Sequence, residues 1–434
     1  VPDPPALEQF LGLARYATST DGIGGRLRAS PQDFVVEEIP KPAVKAQGQG
    51  KYTIATLRAT NWETNRLVRE LGQRLGVSRR GIFFTGTKDK RAVKTQQMAI
   101  LAPEERVRAL AMHGVEVLAT YRADHAPKLG ELIGNRFEIT ARDLACDADE
   151  AARRCAAIEG ELAAAGGVPN YFGLQRFGSL RPVTQRIGER MVRGDFEGAV
   201  MAYVAEPVEG EPAAAFEARR RVGEERDFGK AVTYYPQQLS FERVLVEHLA
   251  KNPGDWVGAL RRLPANLTTM FVYAYQSLLF NRMVSARLAS DGHLDALHEG
   301  DIVLPVDEDG VPDHDTLVPV RAANLDKCAR QVRKGRAVPT AIVFGLDVPF
   351  AGGPMGEIER RVVDAEQLKP TDFRVPAMPE VASFGQRRAL AVQALDFQRQ
   401  LEGDAMRFTF RLPKGSYATC VLREFMKSTD ARSY

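Results

Sequence analysis

The segment from Gly81 to Ile100, GIFFTGTKDKRAVKTQQMAI, places one carboxylate among several cations directly after an apolar run. GIFFTG has the composition of a short buried strand, and KTQQMAIL is typical of a second strand. We therefore predict that Asp89 lies on the loop that joins these two strands. The basic residues around it are Arg79, Arg80, Lys88, Lys90, Arg91 and Lys94. A run of this kind either contacts a phosphate backbone or forms a solvated loop surface.

Length and composition indicate a globular protein of two domains. The chain has 434 residues, too many for one ordinary core, and 44% of them are hydrophobic and 26% charged. The net charge of +3 indicates no general affinity for nucleic acid, so the basic run is a local feature. No apolar stretch is long enough to cross a bilayer. The segment VPDPPALEQF lacks the pattern of a signal peptide, and we expect a cytoplasmic protein without membrane association.

Cysteine and histidine spacing argues against a metal or disulfide framework. The four cysteines are scattered without a CxxC pair, and the six histidines form no HExxH motif. We therefore predict no zinc site and a reducing compartment.

Two strands and a helix are predicted upstream of the opening segment. DFVVEEI, residues 33–39, and KYTIATLRAT, residues 51–60, both have strand composition. Thr60 and Glu63 then form a capping-box pattern, and apolar residues recur at helical spacing as far as Gly76.

Downstream, NRFEITARD (residues 135–143) alternates as a half-buried strand does. Phe137, Ile139 and Ala141 share its apolar face. A helix is predicted next, opened by Asp147 and ended by the Gly166-Gly167 pair.

The connection GVPNYFGLQRFG, residues 167–178, has three aromatic residues and one cation between glycines. Exposed aromatics beside a cation suit base stacking and phosphate contact. The same composition also suits a loop whose aromatics pack into the core, and both interpretations remain open at this point.

The C-terminal segment MRFTFRLPKGSYATCVLREFMK resembles the N-terminal part in texture, with a strand, a turn and a helix capped by Ser416. The middle of the chain is more helical, and residues 271–288 form a strongly amphipathic pattern. The chain therefore looks like one domain built from both ends, with a second domain inserted between Leu180 and Asp372.

Four segments together resemble the TruD family of tRNA pseudouridine synthases: GRLRASPQDFVVEE, GTKDKRAVKTQ, GNRFEI followed by VPNYFGLQRFG, and PKGSYATCVLREF. The wording of GTKDKRAV and the length are closer to the archaeal and eukaryotic branch. The resemblance implies an α+β fold. Its pseudouridine synthase catalytic domain has a mixed, mainly antiparallel sheet and would comprise residues 1–180 and 373–434. An inserted α/β domain special to the family would comprise residues 181–372.

The resemblance also implies the reaction and its catalytic residue. Asp89 holds the position of the family's catalytic aspartate. Pseudouridine formation breaks the N1–C1′ bond of a uridine and joins C5 to C1′, without a cofactor. A carboxylate can attack or stabilise C1′, or move a proton, and a neighbouring cation favours its charged form. The family's usual target is position 13 of tRNA, and its eukaryotic members act on further sites.

Further site residues follow from the matching motifs. Arg28 stands where some members have Lys, and it could pair bidentately with Asp89 or be a surface residue at a strand edge. Asn135 and Phe137 match positions that line the uridine pocket, although Phe137 could also be plain core. Lys88 is expected near phosphates or near Asp89.

The aromatic connection and the C-terminal motif are expected to close the pocket. The residues of the connection that we expect there are Phe172, Gln175 and Arg176.

Two other functions remain possible: a non-catalytic tRNA-binding protein and a glycosylase directed at nucleosides. The basic loop and the inserted domain favour a large RNA substrate. A dinucleotide-binding fold is excluded, because the glycine-rich DGIGGR precedes the first clear strand. The sequence indicates no protein partner, and we expect a monomer.

Overall fold

A computed structural model describes residues 3–41, 50–178 and 181–434. The domain boundary expected at Leu180 lies outside the described residues. Within these ranges, no helix combines the length and the apolar character that a membrane span requires.

The described residues form fifteen strands. They are β1 (Gly24–Arg26), β2 (Phe34–Pro40), β3 (Tyr52–Thr60), β4 (Ile82–Phe84), β5 (Val93–Ile100), β6 (Val115–Ala123), β7 (Leu132–Leu144), β8 (Val168–Pro169), β9 (Ile302–Pro305), β10 (Val318–Pro319), β11 (Ala337–Val343), β12 (Gln386–Ala389), β13 (Ala391–Val392), β14 (Leu395–Glu402) and β15 (Ala405–Pro413).

The same ranges contain fourteen α-helices. They are α1 (Ala6–Phe10), α2 (Thr64–Leu75), α3 (Glu104–Arg108), α4 (Ala148–Ala164), α5 (Thr184–Val192), α6 (Phe196–Val204), α7 (Ala213–Glu225), α8 (Phe228–Tyr234), α9 (Ser240–Lys251), α10 (Trp256–Arg261), α11 (Ala265–Asp291), α12 (Leu325–Arg333), α13 (Gly353–Ala365) and α14 (Ala418–Met426).

A nine-stranded sheet organises both ends of the chain. Its main path is β14-β15-β7-β2-β5-β3-β6, with β1 paired to β7 and β4 paired to β5. Only the β2–β5 pair is parallel among these described strands. The predicted α+β fold with a mixed, mainly antiparallel sheet is confirmed.

Helices pack on the sheet at two places, because successive side chains of its strands alternate between a buried apolar face and a more exposed polar face. The apolar face of β7, with Phe137 and Ile139, packs in a core that includes residues of α4 and α14. Leu57 of β3 and Met98 of β5 pack against α2 in a second core. Strand β5, which follows the Asp89 loop, lies in the sheet between β2, which packs in the first core, and β3, which packs in the second.

Two predicted helix caps are wrong. Thr60 is the last residue of β3, and the Glu63 side chain instead accepts the backbone N–H groups of Asn65 and Arg66. Ser416 does not cap α14, because the helix begins one residue later than the pattern suggested, after Tyr417.

The helix boundaries predicted at Asp147 and Gly76 are confirmed. The Asp147 carboxylate accepts the Glu150 N–H at the start of α4. Gly76 ends α2 with a φ of 64°, in the left-handed region that glycine adopts at low cost.

The middle of the chain forms helices α5 to α13 and a four-stranded sheet of order β10-β9-β11-β12. Helix α11 includes the predicted amphipathic segment, but it is buried on more than one side. Its Asn281 side chain donates to the carbonyls of Leu11 and Phe172, so the helix is fixed to the N-terminal segment and to the aromatic connection. Strand β12, beyond residue 372, belongs to this smaller sheet, and the next strand, β13, pairs with β8.

Candidate active site

Asp89 lies on the loop between β4 and β5, as predicted, and pairs with Arg28. The Arg28 Nη2 donates to Asp89 Oδ2 at 2.7 Å. The contact is a single hydrogen bond rather than a bidentate pair. Asp89 Oδ1 accepts no hydrogen bond from any described residue.

Local backbone geometry and an aromatic ring orient Arg28. Arg28 has a φ of 56°, and its guanidinium carbon lies 4.0 Å from the centre of the Phe34 ring. Its side chain is only 13% exposed, whereas that of Asp89 is 43% exposed. Arg91 donates to the carbonyl of Ala29 and ties the Asp89 loop to this segment. The alternative that Arg28 is a free surface residue is excluded.

Asp89 borders a cavity of about 230 Å³, which we call the aspartate cavity. It is lined by Phe34, Val36, Thr87, Lys88, Asp89, Asn135, Phe137, Gln175, Gly415, Ser416, Tyr417, Ala418 and Thr419. Five separate parts of the sequence, all from the two ends of the chain, therefore meet at one carboxylate.

Phe137 is both part of the core and part of the cavity wall. It is 7% exposed and packs against Phe34 and Phe410, with ring centres 6.3 and 5.6 Å away. Two residues earlier in β7, Asn135 lines the same cavity, and its buried Oδ1 has no hydrogen-bond partner among the described residues. An orphaned acceptor in a cavity is a place where a ligand donor can bind.

Lys88 lines the cavity from an internal ion pair. Its Nζ lies 3.1 Å from Glu38 Oε2, and both side chains are nearly inaccessible to solvent. The Lys88 backbone N–H donates to the Thr64 hydroxyl at the start of α2. These two contacts fix the position of Lys88, the residue directly before Asp89.

Lys94 is fully buried, contrary to its expected place in a phosphate-binding run. Its Nζ donates to the Trp62 carbonyl at 2.7 Å and to the Thr64 hydroxyl at 3.1 Å. Burial lowers the pKa of the Lys94 ammonium to about 8, against the opposing effect of the Glu63 and Asp89 carboxylates. The alternation of β5 turns this side chain under α2 and away from any external phosphate.

The aromatic connection follows the core interpretation. Tyr171, Phe172 and Phe177 are all buried. Gln175 reaches the aspartate cavity, where its Oε1 accepts the Thr419 hydroxyl at 3.2 Å. Phe172 and Arg176, expected in the same pocket, instead line a second cavity of about 320 Å³.

Sequence reasoning missed Tyr417 and Thr419 as individual cavity residues, although both lie in the quoted PKGSYATC motif. Tyr417 packs against Phe172 with ring centres 6.1 Å apart. Burial raises the pKa of its hydroxyl. The sequence contained a signal for both residues, since the hydroxyl groups of Tyr417 and Thr419 follow the Pro-Lys-Gly turn at the end of β15.

A larger groove of about 1040 Å³ runs between α2 and the middle of the chain. Arg66, Arg69 and Arg79 line one side of it, and Phe241 and Leu267 line the other. The described residues contain no cluster of His, Cys, Asp and Glu suited to a metal ion.

Known proteins resemble this chain along nearly its whole length. Residues 10–425 match the family described as tRNA pseudouridine synthase D (TruD). The chain is 39% identical over 432 residues to a probable tRNA pseudouridine synthase D of Methanococcoides burtonii, covering 98% of each chain. It is 39% identical over 434 residues to the corresponding Halobacterium salinarum protein, covering 97% of each.

A crystal structure of a putative tRNA pseudouridine synthase D from Methanosarcina mazei superposes on this fold. The TM-score is 0.83 at 36% identity, over 99% of this chain and 100% of the other. These archaeal relatives agree with the branch expected from the motif wording. The chain belongs to the tRNA pseudouridine synthase D (TruD) family.

Proposed function

We propose that this protein isomerises a specific uridine of tRNA to pseudouridine, with Asp89 as the catalytic carboxylate. The observation that carries the proposal is the position of Asp89, paired with Arg28 at 2.7 Å on the border of the aspartate cavity. The uridine at position 13 of tRNA is the first target to test.

The carboxylate geometry suits chemistry at C1′. The hydrogen bond from Arg28 occupies Oδ2, while Oδ1 has no donor among the described residues. Oδ1 can then attack or stabilise the electron-poor C1′ as the N1–C1′ bond breaks, or remove a proton. The uracil turns, and C5 bonds to C1′ while any bond from Oδ1 to C1′ breaks. C5 then loses its proton and N1 takes one up, so the reaction is an isomerisation that requires no outside oxidant or reductant.

The cavity walls suit a uracil that has left its stack. Base flipping costs a few kcal/mol, which contacts in the pocket must offset. Phe137 supplies an aromatic surface, and the unpartnered Asn135 Oδ1 can accept the uracil N3–H. Gln175 and Thr419 close the opposite wall through their mutual hydrogen bond.

The surrounding charge suits an RNA backbone. Arg79, Arg80, Lys90 and Arg91 are exposed in the sequence segment that contains Asp89, and Arg66 and Arg69 are exposed on the groove beside α2. Cations of this kind bind phosphates with release of condensed counterions, so the affinity falls as the salt concentration rises. We also propose a cytoplasmic monomer with a catalytic domain of residues 1–180 and 373–434 and an inserted domain of residues 181–372, to whose sheet β12 of the returning chain adds one strand.

Nucleotide-resolution mapping of pseudouridine in a tRNA transcript incubated with the protein tests the proposal. We expect conversion at one uridine, beginning with position 13, without added cofactor. A glycosylase would release free uracil and leave an abasic site, and a non-catalytic binding protein would leave the transcript unchanged. Either of these results would refute the proposed function.

A further inference from the structure

The second cavity lies directly beside the aspartate cavity. Consecutive residues of one short turn, Gln175 and Arg176, line the first and the second cavity respectively. The Phe172 ring lines the second cavity and contacts Tyr417, which lines the first, with ring centres 6.1 Å apart. The two cavities are therefore joined by one short turn and one contact between aromatic rings.

Arg176 brings a positive charge to this cavity without a carboxylate to neutralise it. Its Nε donates to the Ser277 hydroxyl at 3.2 Å, and its guanidinium carbon lies 5.3 Å from the Phe172 ring centre and 6.0 Å from that of Tyr273. No described Asp or Glu forms an ion pair with it. The guanidinium has donors left for an anion.

A second arginine, Arg388, stands behind Phe172 and adds to this charge. It is 8% exposed and lies 4.1 Å from the Phe172 ring centre. Its donors reach only neutral acceptors, on Asn170 and Gly415. The preceding residue, Arg387, is equally buried but pairs with Glu359 at 2.6 Å. The Phe172 ring therefore has two guanidinium groups near it, and neither forms an ion pair with a described carboxylate.

Two exposed aromatic residues complete the lining. Phe384 is 68% exposed and Tyr273 is 40% exposed. The backbone at Phe384 is fixed in a turn, because its carbonyl accepts the Asp347 N–H and the next residue, Gly385, has a φ of 78°. A Cβ at Gly385 would lie 2.6 Å from the Val343 carbonyl oxygen, so the turn depends on glycine.

We propose that the second cavity binds the nucleotide adjacent to the target uridine in the same RNA strand. Its base stacks on Phe384 and Tyr273, and its phosphate contacts Arg176. Exposed aromatics beside unpaired arginines are how proteins hold single-stranded nucleotides. The inference rests on the proposed function, and it adds a contact that helps to keep the target nucleotide out of its stack.

The test uses Phe384→Ala and Arg176→Gln on three transcripts: the unmodified tRNA, and two in which either the 5′ or the 3′ neighbour of the target is abasic. Phe384→Ala should lower kcat/KM and affinity roughly tenfold on unmodified tRNA, as loss of one stacked base does. On the transcript that already lacks this base, the same variant should lose less than about twofold, because the two changes remove one contact.

Arg176→Gln should lower the slope of log affinity against log salt concentration by about one. Matched controls are Phe10→Ala, a ring 53% exposed outside both cavities, and Arg226→Gln, an arginine paired with Glu197. Both should behave as the wild type. The inference is overturned if Phe384→Ala and Arg176→Gln match these controls, or if Phe384→Ala loses equally on all three transcripts.

The wild-type reaction on unmodified tRNA distinguishes failure of the proposed function from failure of the second nucleotide site. Absence of pseudouridine there refutes the proposed function itself. Normal wild-type conversion, together with a Phe384→Ala variant that matches its control, refutes only the second nucleotide site.

Discussion

Arg28 and Asp89, 61 residues apart in the chain, share a 2.7 Å hydrogen bond at the edge of the aspartate cavity. The arginine is mostly enclosed and stacks on Phe34, while the aspartate is nearly half exposed. The enclosed cation therefore orients the exposed anion, and we expect the pair to act mainly on reactivity rather than on stability.

Replacing Arg28 should affect turnover more than folding. Because Asp89 is partly exposed, loss of the pair should cost no more than about 1 kcal/mol of unfolding free energy. Arg28→Gln should nevertheless slow single-turnover conversion at least about tenfold. Arg28→Lys keeps the charge but loses the planar group over Phe34, and it should fall between Gln and wild type. Equal rates for all three proteins would contradict a positioning role.

Phe137→Ala should lower both stability and activity, because Phe137 is core and cavity wall together. Large-to-small core changes of this type cost roughly 3–5 kcal/mol. The rate per folded molecule should also fall about tenfold through lost stacking. Phe137→Tyr should retain activity, since it keeps the aromatic face.

Phe410→Ala is the matched control for Phe137→Ala. Phe410 is opposite Phe137 in the β7–β15 pairing and is 1% exposed, but it does not line the aspartate cavity. Its loss should cost similar stability in denaturant melts and leave single-turnover rates per folded molecule unchanged. A normal rate in folded Phe137→Ala would leave Phe137 as core alone.

Lys94 should make stability depend on pH in the alkaline range. Its folded pKa is about 8 and its ordinary value is 10.5, so the unfolded chain binds the extra proton between these values. The unfolding free energy of wild type relative to Lys94→Met should therefore rise with pH in that window, by an amount on the order of 1–3 kcal/mol. Below about pH 8 the difference should be flat. Denaturant melts of both proteins from pH 7 to 10 measure it, and a difference that falls with pH would contradict the buried ammonium.

Binding of tRNA should weaken steeply as salt rises, through the exposed cations rather than Lys88 or Lys94. Arg69→Gln and Arg80→Gln should each lower the slope of log affinity against log salt concentration by about one. Arg226→Gln, which removes the same charge from an ion pair with Glu197, should leave the slope unchanged. Filter binding at several salt concentrations measures these slopes. A wild-type slope near zero would exclude the electrostatic contribution.

The sequence predicted what is local and missed what depends on distant partners. Asp89, Gln175 and the strands around them follow from motif and alternation. The partners of Lys88 and Lys94 could not be predicted in this way. Glu38, Trp62 and Thr64 come next to these lysines only when β2, α2 and β5 assemble.

The same reason explains the displaced site residues and the missed cap. The positions of Phe172 and Arg176 are set by α11, which lies about a hundred residues later in the chain. This helix fixes the connection through Asn281 and Ser277. Glu63 replaced Thr60 as the cap because β3 extends through Thr60, a boundary set by strand pairing rather than by local propensity.

The central claim, that Asp89 performs the chemistry, is tested most directly by single-turnover conversion of tRNA by Asp89→Asn. The variant keeps the size of the side chain and removes its charge. Wild type should form pseudouridine and Asp89→Asn should form none detectable, with a similar melting temperature and with tRNA affinity within a few-fold. Substantial conversion by folded Asp89→Asn would place the catalytic group elsewhere and contradict the account.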